Sequence, residues 1–217
     1  MPAFRSVIFD CDSTLSAIEG IEELARDHKA EVQRLTTLAM QGTVSLESVY
    51  GQRLELIQPN RAAVERIGRM YIDQMVPGAG EVVRGLMAAG VRVFVLSGGL
   101  LPAVRAIALH LGVPDQHIGA VDLRFDQRGN YAGFDDTSVL ARSNGKRRWI
   151  ESRADIVRPS LMVGDGVTDL EARPVVDRFA AFTGVARREP VVAAADFVVP
   201  GPGLHAILDL ALHGRLT

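Results

Sequence analysis

Val7-Ile8-Phe9-Asp10-Cys11-Asp12-Ser13-Thr14 is the stretch on which the fold turns. Three large apolar residues in a row read as a short buried strand. The run stops abruptly at two carboxylates separated by one residue. In open α/β sheets ligands gather at the carboxyl ends of the strands. Asp10 and Asp12 therefore stand at the edge where chemistry would occur.

Downstream the pattern changes twice. From residue 15 to 75, charged residues interleave with apolar ones at helical spacing, as in Leu24, His28, Val32 and Leu35, then Val64, Ile67 and Tyr71. No strand is expected there, so this part reads as a helical insertion. From Pro77 onward helices and strands alternate. Helices are expected over 80–89, 101–111, 146–153 and 204–212. Strands are expected at 91–96, 161–163, 179–182 and 197–199. Val121–Phe125 and Tyr131–Phe134 flank Asp126-Gln127-Arg128-Gly129-Asn130 and read as a hairpin. Such alternation predicts an α/β fold, a doubly wound and mostly parallel sheet with helices on both faces. The domain organisation is a core of residues 1–14 and 76–217, with residues 15–75 inserted as a helical cap.

Composition narrows the function. The 217 residues are 47% hydrophobic and 23% charged, with a net charge of −2. That balance gives no basic footprint for nucleic acid and no polybasic patch for a membrane. No apolar run approaches the roughly 18 residues of a membrane helix. One cysteine excludes an intrachain disulfide and fits a reducing compartment. The expectation is a soluble cytoplasmic protein with a small-molecule partner.

Two more strands end in groups a catalyst can use, Ser97-Gly98-Gly99 and Gly164-Asp165-Gly166-Val167-Thr168-Asp169. Lys146 opens a helix after Asn144-Gly145. In a parallel sheet these ends share one edge. Carboxylates gathered there repel one another unless a cation offsets them, and hard oxygen ligands suit Mg²⁺, which commonly bridges to phosphate. Ser97 with glycine amides supplies donors to phosphate oxygens, and Lys146 adds positive charge. The sum is a phosphoryl-transfer site, and the absence of G-x-x-x-x-G-K-[ST] excludes a P-loop.

These four motifs, in this order, resemble those of the haloacid dehalogenase superfamily. Asp10–Ala25, Leu38–Pro59 and Tyr131–Thr137 extend the likeness, over most of the chain, to its phosphoserine phosphatase family. The resemblance implies Mg²⁺-dependent hydrolysis of O-phospho-L-serine, the final step of serine biosynthesis. Asp10 would be the nucleophile that forms an aspartyl-phosphate, and Asp12 the general acid and then base. Mg²⁺ would be held by the Asp10 and Asp165 carboxylates and the Asp12 carbonyl, with Asp169 in support. Ser97, Gly98 and Lys146 would hold the phosphoryl group. Glu19 would bind the substrate ammonium and Arg53 its carboxylate, with Met40, Gly42, Leu46, Gly99 and Thr168 close by. Leu46 stands where close relatives carry an aromatic, and Cys11 where a small aliphatic is usual.

Other readings of the same residues stand beside these. The fold also serves phosphatases of other small metabolites and transferases that pass phosphate from phosphoserine to homoserine. A catalytically silent binding module would lack Asp10, Asp12, Lys146 or Asp165, and all four are present. Cys11, flanked by anions, reads as a small buried side chain rather than a nucleophile. The five histidines and Trp149 read as surface or packing residues, and Asp135 and Asp136 as turn residues.

Overall fold

A computed structural model describes residues 1–25, 28–40 and 46–216, with side chains at all of these except 33, 36–40 and 46. Val7, Ile8 and Phe9 have no exposed surface and form most of strand β1 (Ser6–Phe9) at the centre of the molecule. Strand β2 (Arg92–Leu100) lies on one side of it and β6 (Ser160–Gly164) on the other. The sheet is completed by β3 (Ile118–Val121), β7 (Arg178–Phe182) and β8 (Phe197–Val199), in the order β3-β2-β1-β6-β7-β8. Every pairing in it is parallel. The strand order reverses direction at β1, which makes the end of β1 the crevice of a doubly wound sheet.

The insertion comprises α1 (Gly20–Leu24), α2 (Lys29–Met40), α3 (Leu46–Ile57) and α4 (Arg61–Asp73). Its two ends are tied together. Ser16 and Met75 form an isolated antiparallel bridge, and the amides of Ala17 and Val76 donate to the carbonyls of Gln74 and Leu15, both at 2.9 Å. Asn60 caps α4 by accepting from the Ala63 amide at 2.8 Å. Val64, Ile67 and Tyr71 form the buried face of α4 at the spacing read from the sequence. That face packs on α6 (Leu101–His110). Gly68 permits the approach, because a Cβ there would lie 2.9 Å from the Ala106 Cβ.

The remaining helices are α5 (Ala79–Ala88), α7 (Gly145–Glu151), α8 (Val167–Leu170), α9 (Glu189–Ala194) and α10 (His205–His213). No helix among the described residues is long and apolar enough to cross a membrane.

Two expected strands differ from those observed. The segment expected as one hairpin strand at 121–125 is divided: Ile118–Val121 pairs with β2, and β4 (Leu123–Phe125) pairs with β5 (Tyr131–Phe134). Asp122 marks the division, and its carboxylate accepts from the Leu123 amide at 2.9 Å. The strand expected to end at Leu96 continues to Leu100. Its register with β3 slips between Leu96 and Leu100, so Ser97, Gly98 and Gly99 occupy an irregular stretch of strand.

Candidate active site

Strand register assembles the site. Phe9 is level with Val95 on β2 and with Val163 on β6. The residues just beyond those three positions are Asp10–Asp12, Ser97 and Asp165, which fall together at one edge of the sheet.

Lys146 is the hub of the buried half. Its Nζ is 2.6 Å from Asp10 Oδ1 and 2.5 Å from Asp169 Oδ1, and its side chain is only 4% exposed. Gly145 allows this, since a Cβ there would sit 3.0 Å from the Leu140 Cα and would run into the Val139 carbonyl. Asp169 is completely buried, and its Oδ2 accepts from the Gly166 amide at 2.9 Å. Burial, with Asp169 close by, pushes the Asp10 carboxyl well above the usual carboxylate range despite Lys146. Burial works to lower Lys146, but Asp10 and Asp169 outweigh it and hold the ammonium above its ordinary value. Cys11 is buried, and burial followed by Asp12 and Asp10 raises its thiol, as its packing role requires.

Buried carboxylate oxygens of Asp10, Asp165 and Asp169 lie within 4.8 Å of one another. Two of Asp169's acceptor positions are already taken, by Lys146 and by the Gly166 amide. Asp10 likewise accepts from Lys146 and from the Cys11 amide at 2.7 Å, and Asp165 from the Thr14 hydroxyl at 3.2 Å and from Arg188, so none of the three is free of donors. Three carboxylates beside Lys146 and Arg188 remain one positive charge short, so their hard oxygens fit a divalent cation such as Mg²⁺. The Asp12 carboxylate lies outside this group, so any part it plays at the ion falls to its backbone carbonyl.

Asp12 keeps different company. Its Oδ1 accepts from the Tyr71 hydroxyl at 2.6 Å and from the Gly20 amide at 2.8 Å. Its Oδ2 accepts from the Ser97 hydroxyl at 3.0 Å. Ser97 Oγ in turn accepts from the Gly99 amide at 2.9 Å. At Gly99 a Cβ would come within 3.0 Å of Asp12 Oδ2, whereas at Gly98 it would meet only the Leu140 carbonyl at 3.6 Å.

The insertion supplies an anion and a cation over this edge. Glu19 accepts from the Ser13 hydroxyl at 2.7 Å, and burial next to Asp12 raises its carboxyl. Arg53, on α3, has its Nε buried without a partner among the described residues. Burial lowers its guanidinium, which feels Glu22, Tyr50, Glu19 and Asp12. Thr168 is exposed in the first turn of α8. Met40 ends α2, and its side chain, Gly42 and the Leu46 side chain lie outside the described residues.

Two residues at this edge were not singled out from the sequence as site residues. In the sequence, the spacing of Tyr71 marks only a helix face. Arg188, in the turn before α9, forms an ion pair with Asp165 Oδ2, and its Nη2 is 3.8 Å from Glu19 Oε1. The signal for Arg188 was its place in the connection that follows β7, at the carboxyl end of a sheet strand.

The chain is similar to proteins of one known family. The haloacid dehalogenase-like hydrolase family matches residues 7–174. A phosphoserine phosphatase of Bos taurus is 38% identical over 198 residues, covering 89% of this chain and 88% of its own. A chloroplastic phosphoserine phosphatase of Arabidopsis thaliana is 36% identical over 201 residues, covering 90% of this chain and 68% of its own. Among solved structures, a substrate-bound phosphoserine phosphatase complex superposes with a TM-score of 0.77 at 27% identity, covering 94% of this chain and 97% of that one. A phospho-aspartyl intermediate analogue of phosphoserine phosphatase superposes with a TM-score of 0.74 at 28% identity, covering 94% of this chain and 97% of that one.

Proposed function

Because the chain belongs to the haloacid dehalogenase-like hydrolases, and among them to the phosphoserine phosphatase family, we propose that it hydrolyses O-phospho-L-serine to serine and phosphate. One observation carries the reading: two carboxylates two residues apart have opposite surroundings. Asp10 faces Lys146 and the acidic cluster, and Asp12 is held by hydroxyls and an amide. Pairs of titratable groups kept in such different environments divide the work of nucleophile and proton carrier.

In this mechanism Asp10 attacks phosphorus, and the bond from phosphorus to the serine oxygen breaks. The proton on Asp12 passes to that oxygen, and serine leaves. Asp12, now a carboxylate, takes a proton from water as the water attacks the aspartyl-phosphate, which frees phosphate and Asp10. Lys146 neutralises Asp10 in the resting site and holds the phosphoryl oxygens together with the Ser97 hydroxyl and the Gly98 amide. Glu19 receives the substrate ammonium and Arg53 its carboxylate, with Met40, Gly42, Gly99 and Thr168 around the substrate. Asp169 acts through Lys146. Bound at the Asp10 and Asp165 carboxylates and the Asp12 carbonyl, Mg²⁺ would supply charge neutralisation for the phosphoryl oxygens.

Residues 15–75 serve as the cap that admits substrate and excludes bulk water. The cytosol is the proposed location, consistent with a single free cysteine, and the proposed role is the last step of serine synthesis.

The test is phosphate release from L-phosphoserine against a panel of phosphate monoesters, with Mg²⁺ and with a chelator. Preference for phosphoserine and loss of activity on chelation are expected. Turnover indifferent to Mg²⁺, or no preference for an amino-acid ester, refutes the proposal.

A further inference from the structure

Asp12 Oδ1 is fully occupied by two donors that come from the insertion, the Gly20 amide and the Tyr71 hydroxyl. Tyr71 is 1% exposed and packs against Gly20 so closely that a Cβ on Gly20 would overlap the hydroxyl and lie 3.0 Å from the Ile67 Cγ2. The hydroxyl has little room to go elsewhere. Burial, followed by Asp12 itself, holds its pKa well above the ordinary tyrosine value, so it remains a donor. Oδ2, by contrast, meets only the Ser97 hydroxyl at 3.0 Å among the described residues, and that hydroxyl is free to turn toward a phosphoryl oxygen.

We propose that Tyr71 is a positioning residue for the acid step. By holding Oδ1 it leaves Oδ2 as the oxygen that carries the proton to the leaving group. When Ser97 turns to the phosphoryl group, Oδ2 is released toward the ester oxygen. The proton then moves from Oδ2 to that oxygen as the bond to phosphorus breaks, and the bonding electron pair passes to the departing oxygen. Without the Tyr71 hydroxyl, Oδ1 keeps one donor, and the carboxyl is free to rotate and to carry its proton on either oxygen. A leaving serine alkoxide needs that proton, whereas p-nitrophenolate departs with little help.

This role rests on the phosphatase reading, and the experiment separates the two. Tyr71→Phe is compared with the unaltered protein on L-phosphoserine and on p-nitrophenyl phosphate, with thermal unfolding measured alongside. General acid catalysis typically contributes about 10²–10⁴-fold, so a misdirected proton should lower kcat for phosphoserine about tenfold. KM for phosphoserine and kcat for p-nitrophenyl phosphate should each stay within about twofold. An equal fall on both esters, no fall on either, or loss of the fold makes the hydroxyl a structural group and overturns the proposal. If the unaltered protein releases no phosphate from phosphoserine, the phosphatase reading itself fails.

Discussion

Replacing Lys146 with methionine keeps most of its length and removes its charge from a position only 4% exposed. At an effective dielectric of about 20, each contact of 2.5–2.6 Å is worth about 6 kcal/mol of gross attraction. Two terms reduce the net loss. Lys146 no longer has to be desolvated, and Asp10, already raised above the usual carboxylate range, can take up a proton. Breaking a buried pair from one side typically costs about 3–5 kcal/mol. For a chain of this size each kcal/mol moves Tm by about 2–4 °C, so Lys146→Met should lower it by about 6–20 °C in chelator. Asp169→Asn should also destabilise, because it leaves the ammonium with one carboxylate. The double variant should be more stable than the sum of the single losses predicts, by about 1 kcal/mol or more in urea unfolding. Strictly additive losses would mean that Lys146 and Asp169 are not energetically coupled, and the hub described for this site would be wrong.

Three further outcomes are expected. Asp10→Asn should lower phosphoserine turnover by about 10⁶-fold or to background, as removal of a nucleophile does, while thermal unfolding in chelator shows the fold intact. Arg53→Ala should raise KM for phosphoserine about 10- to 150-fold, the equivalent of one hydrogen bond to a charged group at about 1.5–3 kcal/mol, and leave KM for a phosphate ester without a carboxylate unchanged. Asp10 ionises later in the folded protein than in the unfolded chain, so the ion-free protein loses stability as pH rises from the usual carboxylate range through the raised value. Mg²⁺ binding requires the ionised form, so the rise in Tm on adding Mg²⁺ should grow across that same pH window. A rise that stays constant as pH climbs from the usual carboxylate range would refute the assignment of Asp10 to the ion.

The core of the site was legible because it depends on features that sequence carries directly. A fully apolar run ending in Asp10 marks a central strand, and parallel register then places Ser97 and Asp165 beside it without further information. Lys146 was legible as the cation such a cluster needs. Tyr71 was not, because its period along α4 advertises packing, and it is packing: the same side chain fills the core and spends its hydroxyl on Asp12. Arg188 depends on how the turn after β7 folds back over Asp165, which local pattern does not encode. The split of 118–125 into two strands was hidden for a similar reason. Leu123 continues the apolar alternation of Val121, and only the bond from the Leu123 amide to Asp122 marks where one sheet ends and the hairpin begins.

The tie between Ser16 and Met75 bears on how this chain could be rebuilt. An insertion whose two ends meet in a paired neck resembles a socket, and another segment with ends equally close should fit without disturbing the sheet. Yet the helices above the neck are not equally exchangeable. Val64, Ile67 and Tyr71 of α4 are part of the main core and cover α6. Grafting should therefore succeed for α2 and α3 with α4 left in place. Chimeras that replace the whole of 15–75 should expose α6 and lose both donors to Asp12 Oδ1. Altered substrate preference is to be sought in the outer pair of helices, on a fixed inner one.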